Sequence, residues 1–135
     1  MRLGLQKQYV LWMAGCAALL AVALAAPAHA AWGWLRGAAV SEFTESDWAV
    51  FQATGLKALD DAVDGEIVQW SNDETGAHGR MRIVETFRHS ETWCRRIAFE
   101  SVSGKGTRGR SVYNLCLKPD QTWAFVTDSE LGRAP

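Results

Sequence analysis

The chain has 135 residues, 48% of them hydrophobic and 21% charged, with three prolines and a formal net charge of −1. That composition excludes a disordered tail, a collagen-like repeat and a strongly basic nucleic-acid binder. Beyond the first thirty residues twelve cations face fifteen acids, over a length that suits one small domain. It is too short for a kinase, a full dinucleotide-binding enzyme or a barrel hydrolase.

Arg2 and Lys7 precede an apolar run over residues 9–26, and Pro27-Ala28-His29-Ala30 follows it. A positive start, an apolar stretch and an A-x-A site form a secretory signal peptide, so cleavage between Ala30 and Ala31 is expected. Met13-Ala14-Gly15-Cys16 offers an alternative. It carries the small residues of a lipobox, and processing there leaves a lipid-modified Cys16 as first residue. Apolar residues follow Cys16 where a lipoprotein has a polar linker, which favours Ala30. Residues 1–30 are therefore assigned to the signal peptide, 31–43 to a flexible leader, 44–127 to the domain and 128–135 to a tail. Trp32 and Trp34 lie in the leader, free of the domain's apolar pattern and suited to an interfacial contact.

Thr44 with Asp47 three residues on resembles a capping box, and Trp48, Phe51, Gly55, Leu56, Leu59 and Val63 recur at helical spacing. The pattern predicts an amphipathic helix over 45–62, with Gly65 as its terminator. Strands are expected at 66–71, 80–89, 92–102, 107–117 and 122–127, joined by four short polar or glycine-bearing turns. Met81, Ile83 and Phe87 alternate on the second strand. Val68, Trp70, Ile97, Val112 and Phe125 are further expected apolar positions, and Trp48, Trp93 and Trp123 also fall within the apolar pattern. The fold class is α+β: an N-terminal amphipathic helix packed on an antiparallel five-strand meander sheet with one disulfide.

The disulfide is expected because only Cys94 and Cys116 remain after Ala30, in an exported chain that meets an oxidising compartment. A hairpin centred on Gly104-Lys105 places Cys94 opposite residue 115, one position from Cys116, so a register shift or bulge is needed. Zinc would require two more ligands, and His78 and His89 have no finger spacing. No metal and no cofactor are expected. Gly104-Lys105-Gly106-Thr107-Arg108-Gly109 matches a phosphate-binding glycine pattern literally, but it joins two strands and reads as a turn. No serine lies in a nucleophile elbow, and no carboxylate pair is poised for acid–base work, so no enzymatic activity is expected.

Charge is unevenly spread. Residues 31–79 hold nine acids and two cations, and residues 80–110 hold eight cations and three acids. Arg80, Arg82, Arg95, Arg96, Lys105, Arg108 and Arg110 could present a patch to anionic lipid, cell-wall polymer or an acidic protein. The simpler expectation pairs these arginines with Glu85, Glu100 and the acidic helix inside the domain.

Thr44-x-x-Asp47, Val68-x-Trp70-Ser71-Asn72, Thr75-Gly76-x-x-Gly79, Cys94-Arg95, and Cys116 followed by Asp120-x-x-Trp123 occur in an order that resembles the bacterial seventeen-kilodalton outer-membrane surface antigen family. The resemblance spans roughly residues 44–126. It implies an envelope protein with a small α+β domain, no established enzymatic activity and no catalytic residues to carry over. Members are typically lipoproteins, often with a glycine-zipper segment before this domain. This sequence shows no such segment, and its Cys16 lies inside the apolar run. The leading expectation is a non-catalytic binding or structural module of the periplasm or outer membrane. The alternative is a small periplasmic enzyme or inhibitor with a site near His78, His89 and the neighbouring arginines.

Overall fold

A computed structural model of the chain describes residues 32–134. The signal cleavage site at Ala30 and Ala31, and Cys16, lie outside the described residues.

Thr44 starts the helix by the expected reciprocal cap. Its hydroxyl accepts from the Asp47 amide at 3.2 Å, and the Asp47 carboxylate accepts from the Thr44 amide at 2.9 Å. Helix α1 (Glu45–Asp61) ends at Ala62, whose backbone is extended, and Gly65 lies beyond it in the following turn at a φ of +86°. Burial follows the four-residue ridge Asp47, Phe51, Gly55 and Leu59, joined by Ala58. Leu56 and Val63, expected in the stripe, are exposed, and Trp48 is half-buried. Leu56 sits about 100° around the axis from Gly55, so it leaves the ridge that the sheet covers.

Five strands follow as the expected antiparallel meander: β1 (Ile67–Ser71), β2 (His78–His89), β3 (Thr92–Val102), β4 (Arg108–Leu117) and β5 (Trp123–Val126), in that spatial order. Side chains alternate between an inner face, under α1, and an outer face. Transverse rows of the register fix membership. Val68, Met81, Phe99 and Ser111 share one inner row, and Ile83, Ile97 and Tyr113 another. Gln69, Arg80, Glu100 and Arg110 form the outer row between them and Trp70, Gly79, Ser101 and Gly109.

Three sequence expectations fail here, the first for a local reason. A bulge between Ile83 and Glu85 leaves Val84 without a partner and reverses the facing of everything after it, so Phe87 pairs with Cys94 on the outer face. Val112 occupies the outer row of Ile67, Arg82 and Ala98 and is exposed, and Trp93 lies in the inner row beyond the end of α1, also exposed. Cys94 faces Cys116 directly, at a Cα separation of 4.0 Å, and the two sulfurs are bonded. The expected register shift does not exist. The hairpin is centred on Lys105, one half-step beyond the sequence estimate.

The leader is part of the domain, contrary to expectation. Trp32 is buried between Phe51 and Phe99, with ring centroids 5.6 and 6.0 Å away. Trp34 stacks on Phe125 at 5.1 Å, Leu35 and Ala39 are buried, and a 3-10 turn at Val40–Glu42 leads to the helix cap. The main core lies where Trp32, Phe51, Leu59, Trp70, Met81, Ile83, Ile97, Phe99 and Leu115 meet, with α1 and the leader together covering the inner face.

Candidate functional site

The residues that carry the sequence resemblance are brought together, but as scaffold. Asp47 is buried and accepts from the Asn72 amide at 2.7 Å and the Thr75 hydroxyl at 2.5 Å, besides the Thr44 amide. Burial by itself would raise its pKa. The bonds from Thr75, the Thr44 backbone, Asn72 and the Thr44 hydroxyl outweigh that and hold the carboxyl below the ordinary range. Gly79 has no room for a side chain: a methyl there would overlap the Glu100 carbonyl oxygen and lie 2.8 Å from Trp70 Nε1.

Arg95 belongs to this scaffold and not to a patch. Its row, Thr86, Arg95, Leu115 and Phe125, faces inward. The guanidinium donates to the carbonyls of Ala58 at 3.1 Å and Leu59 at 2.7 Å, to that of Ala62, and through Nε to the Thr86 hydroxyl at 3.0 Å. These carbonyls lie at the C-terminal end of α1, which has no basic residue in its own last turn; that of Ala58 also accepts from the Ala62 amide at 3.0 Å. Asp64 accepts from the Thr86 hydroxyl and amide, bonds that keep its carboxyl low, with the Arg95 charge assisting.

The remaining patch residues divide. Arg96 is on the outer face, but its Nη1 lies 3.2 Å from Asp128, which also accepts from Asn114 at 2.8 Å. The Asn114 bond, with Arg96 behind it, lowers the Asp128 carboxyl. Arg133 reaches Glu85 at 2.6 Å and lies 4.3 Å over the Phe87 ring. The segment after β5, expected as a tail, therefore straps one half of the outer face. Lys105 sits at the tip of the β3–β4 turn, where Gly106 takes a φ of +87° and no helix follows.

The other half of that face is open. Arg80 and Arg82 project from β2, Arg108 and Arg110 from β4, and Ala98, Glu100 and Val102 form the floor on β3 between them. Glu100 pairs with Arg80 at 2.5 Å and Arg110 at 3.0 Å; the Arg80 hydrogen bond leads in lowering its carboxyl. The internal pairing expected for the arginines thus holds for two of them, through one shared carboxylate. Arg82 and Arg108 are exposed, and no described acid forms an ion pair with either. A groove of about 750 Å³ runs here, lined by Gln69, His78, Arg80, Glu100, Arg108 and Arg110 among others.

The histidines are not brought together. His78 and His89 stand at opposite ends of β2, roughly 36 Å apart at about 3.3 Å per residue. Among the described residues no three His, Cys, Asp or Glu side chains are grouped closely enough to hold a metal ion.

A meander under one capped helix, with its Asp47, Arg95 and Cys94–Cys116 fastenings, is the setting for the comparison with known proteins. The chain is similar to the 17 kDa surface antigens of Rickettsia. It is 30% identical to that of Rickettsia prowazekii (strain Madrid E) over 83 residues, 61% of this chain and 52% of the relative. Against the Rickettsia felis (strain ATCC VR-1525 / URRWXCal2) antigen the identity is 31% over 83 residues, with the same shares covered. For Rickettsia amblyommatis it is 32% over 77 residues, 56% of this chain and 49% of the relative. The chain spans about half the length of the curated relatives it matches. No protein-family model matches the chain, and no solved structure matches it significantly. The surface antigens are the relatives whose motifs the sequence resembles. The residues that carry the sequence resemblance fall here on the helix cap, the first hairpin, the Arg95 cap and the disulfide.

Proposed function

We propose that the chain is an exported, non-catalytic envelope protein whose domain serves as a surface-antigen-like binding or structural module of the periplasm or outer membrane. The observation that carries this is the similarity to the 17 kDa surface antigens over 83 residues, 61% of the chain. The N-terminal sequence supports export through Arg2, Lys7, the apolar run and Ala28-His29-Ala30. The resembling residues hold the fold, so the face that meets a partner is assigned to exposed side chains outside them, foremost the open arginine half of the sheet. Fractionation of the producing cell with intact-mass measurement of the mature protein tests the reading. An envelope fraction and a chain starting at Ala31 are expected. A cytoplasmic chain retaining Met1 overturns it, and a lipid-bearing Cys16 replaces the soluble form with an anchored one.

A further inference from the structure

The open half of the outer face has a shape as well as a charge. β2 and β4 flank β3 at about 4.8 Å on either side, so Arg80 faces Arg110 across a trough roughly 10 Å wide, with Arg82 opposite Val112 in the row on one side and Arg108 opposite His78 in the row on the other. Its floor is made of Ala98, Glu100 and Val102, and the Glu100 carboxylate reaches up to Arg80 and Arg110 on either side. Four guanidiniums surround one carboxylate, and that carboxylate holds Arg80 and Arg110 in place while leaving Arg82 and Arg108 unpaired. Ile67 and Val112, 52% and 47% exposed, close the row of Arg82 and Ala98 at its two ends.

Such a face has three anionic candidates: a lipid surface, a glycan polymer and an acidic polypeptide. A planar bilayer meets protruding cations and does not enter a trough. The same face already shows what it takes. Its other half is covered by residues 128–133, a short piece of chain whose Asp128 carboxylate is held by Arg96 and Asn114. The uncovered half repeats that chemistry with more cations and, among the described residues, no carboxylate reaching it from another part of the chain.

We propose that the trough along β3 is a docking site for an extended acidic peptide segment of another envelope protein. The segment's carboxylates pair with Arg82 and Arg108, and its apolar side chains cover Ile67 and Val112. The proposal rests on reading the domain as a binding module, and supplies the partner chemistry which that reading leaves open. Guanidinium–carboxylate pairs at this exposure give modest affinity, strongly dependent on salt.

The test is fluorescence anisotropy of a labelled oligoglutamate peptide with the purified, oxidised protein, set beside Arg82→Ala, Arg108→Ala and the double variant. Saturable binding at low salt is expected, weakening about fivefold for each arginine removed. The melting temperature should stay unchanged, because neither guanidinium has an ion-pair partner to lose. Binding unaltered in the double variant, or no binding at low salt, overturns the proposal. Arginine-dependent binding to phosphatidylglycerol vesicles or peptidoglycan sacculi without binding to oligoglutamate also overturns it and gives the face to lipid or glycan. Export is read separately by fractionation, so a failure of the docking proposal is distinguished from a failure of the envelope reading on which it rests.

Discussion

Asp47 lies 25 residues before Asn72 in the chain, and its carboxylate takes the Asn72 side-chain amide hydrogen at 2.7 Å. One buried acid therefore caps its own helix and fastens the β1–β2 turn to that helix. Asp47→Ala removes both attachments and leaves the Thr44 amide, the Asn72 amide and the Thr75 hydroxyl short of an acceptor. A loss of about 2–4 kcal/mol in unfolding free energy is expected in urea titrations. A loss below about 1 kcal/mol would mean that the turn holds to the helix without this acid.

The same carboxylate sets an acid limit on stability. Its folded pKa lies below its unfolded one, so its contribution is fully present above the ordinary carboxylate value and is lost as pH falls through the folded value. Glu42, Asp64, Glu100 and Asp128 are displaced in the same direction, by hydrogen bonds led by Ser103, Thr86, Arg80 and Asn114 respectively. Stability should be nearly level from about pH 5 to 7 and fall steeply below about pH 4. Asp47→Asn should flatten the acid limb of a melting-temperature profile. An unchanged limb would remove Asp47 from the explanation.

Arginines of one short stretch should differ sharply on substitution. Arg95→Ala takes a charged donor from three helix-end carbonyls and the Thr86 hydroxyl, leaving Ala58 only its bond from the Ala62 amide, at a cost of about 2–3 kcal/mol. Arg82→Ala and Arg108→Ala touch no ion pair and should each lie within about 0.5 kcal/mol of the parent. Arg95→Lys should recover little, since an ammonium cannot span the carbonyls that the planar fork reaches together. Chemical denaturation of the four variants decides it; equal effects at 82 and 95 would contradict the division of the arginines between the two faces.

What the sequence disclosed was local. The Thr44–Asp47 spacing and the five strands follow from capping, alternation and turn residues within short windows, and the Cys94–Cys116 link from the two cysteines left in an exported chain. The half-step in the β3–β4 register arose from centring the turn on Gly104-Lys105, when Gly106 supplies the positive φ and the centre falls on Lys105. Phe87 was misassigned because a bulge at Val84 has no composition of its own. Arg95 read as surface charge because its acceptors, Ala58, Leu59 and Ala62, lie more than thirty residues away and are backbone atoms. Trp32 read as a free leader because nothing adjacent in sequence shows where its ring goes. One signal was present: Gly55, a glycine inside an apolar helical stripe, marks a close approach.

That approach gives the last prediction. A Cβ on Gly55 would lie 2.6 Å from Cη2 of Trp32, whose ring is wedged between Phe51 and Phe99. Gly55→Ala gains about 1 kcal/mol of helix propensity, but overpacking a ring that cannot withdraw costs about 1–3 kcal/mol. The clash should prevail, and the melting temperature should fall. Trp32→Phe shortens the ring on that side and should itself destabilise through the cavity it leaves. In that background Gly55→Ala loses its clash and keeps its propensity gain, so the sign of its effect should reverse. A double-mutant cycle followed by thermal melts measures the coupling directly. Additive effects of the two substitutions would show that Trp32 does not rest on Gly55, and the leader would return to the surface.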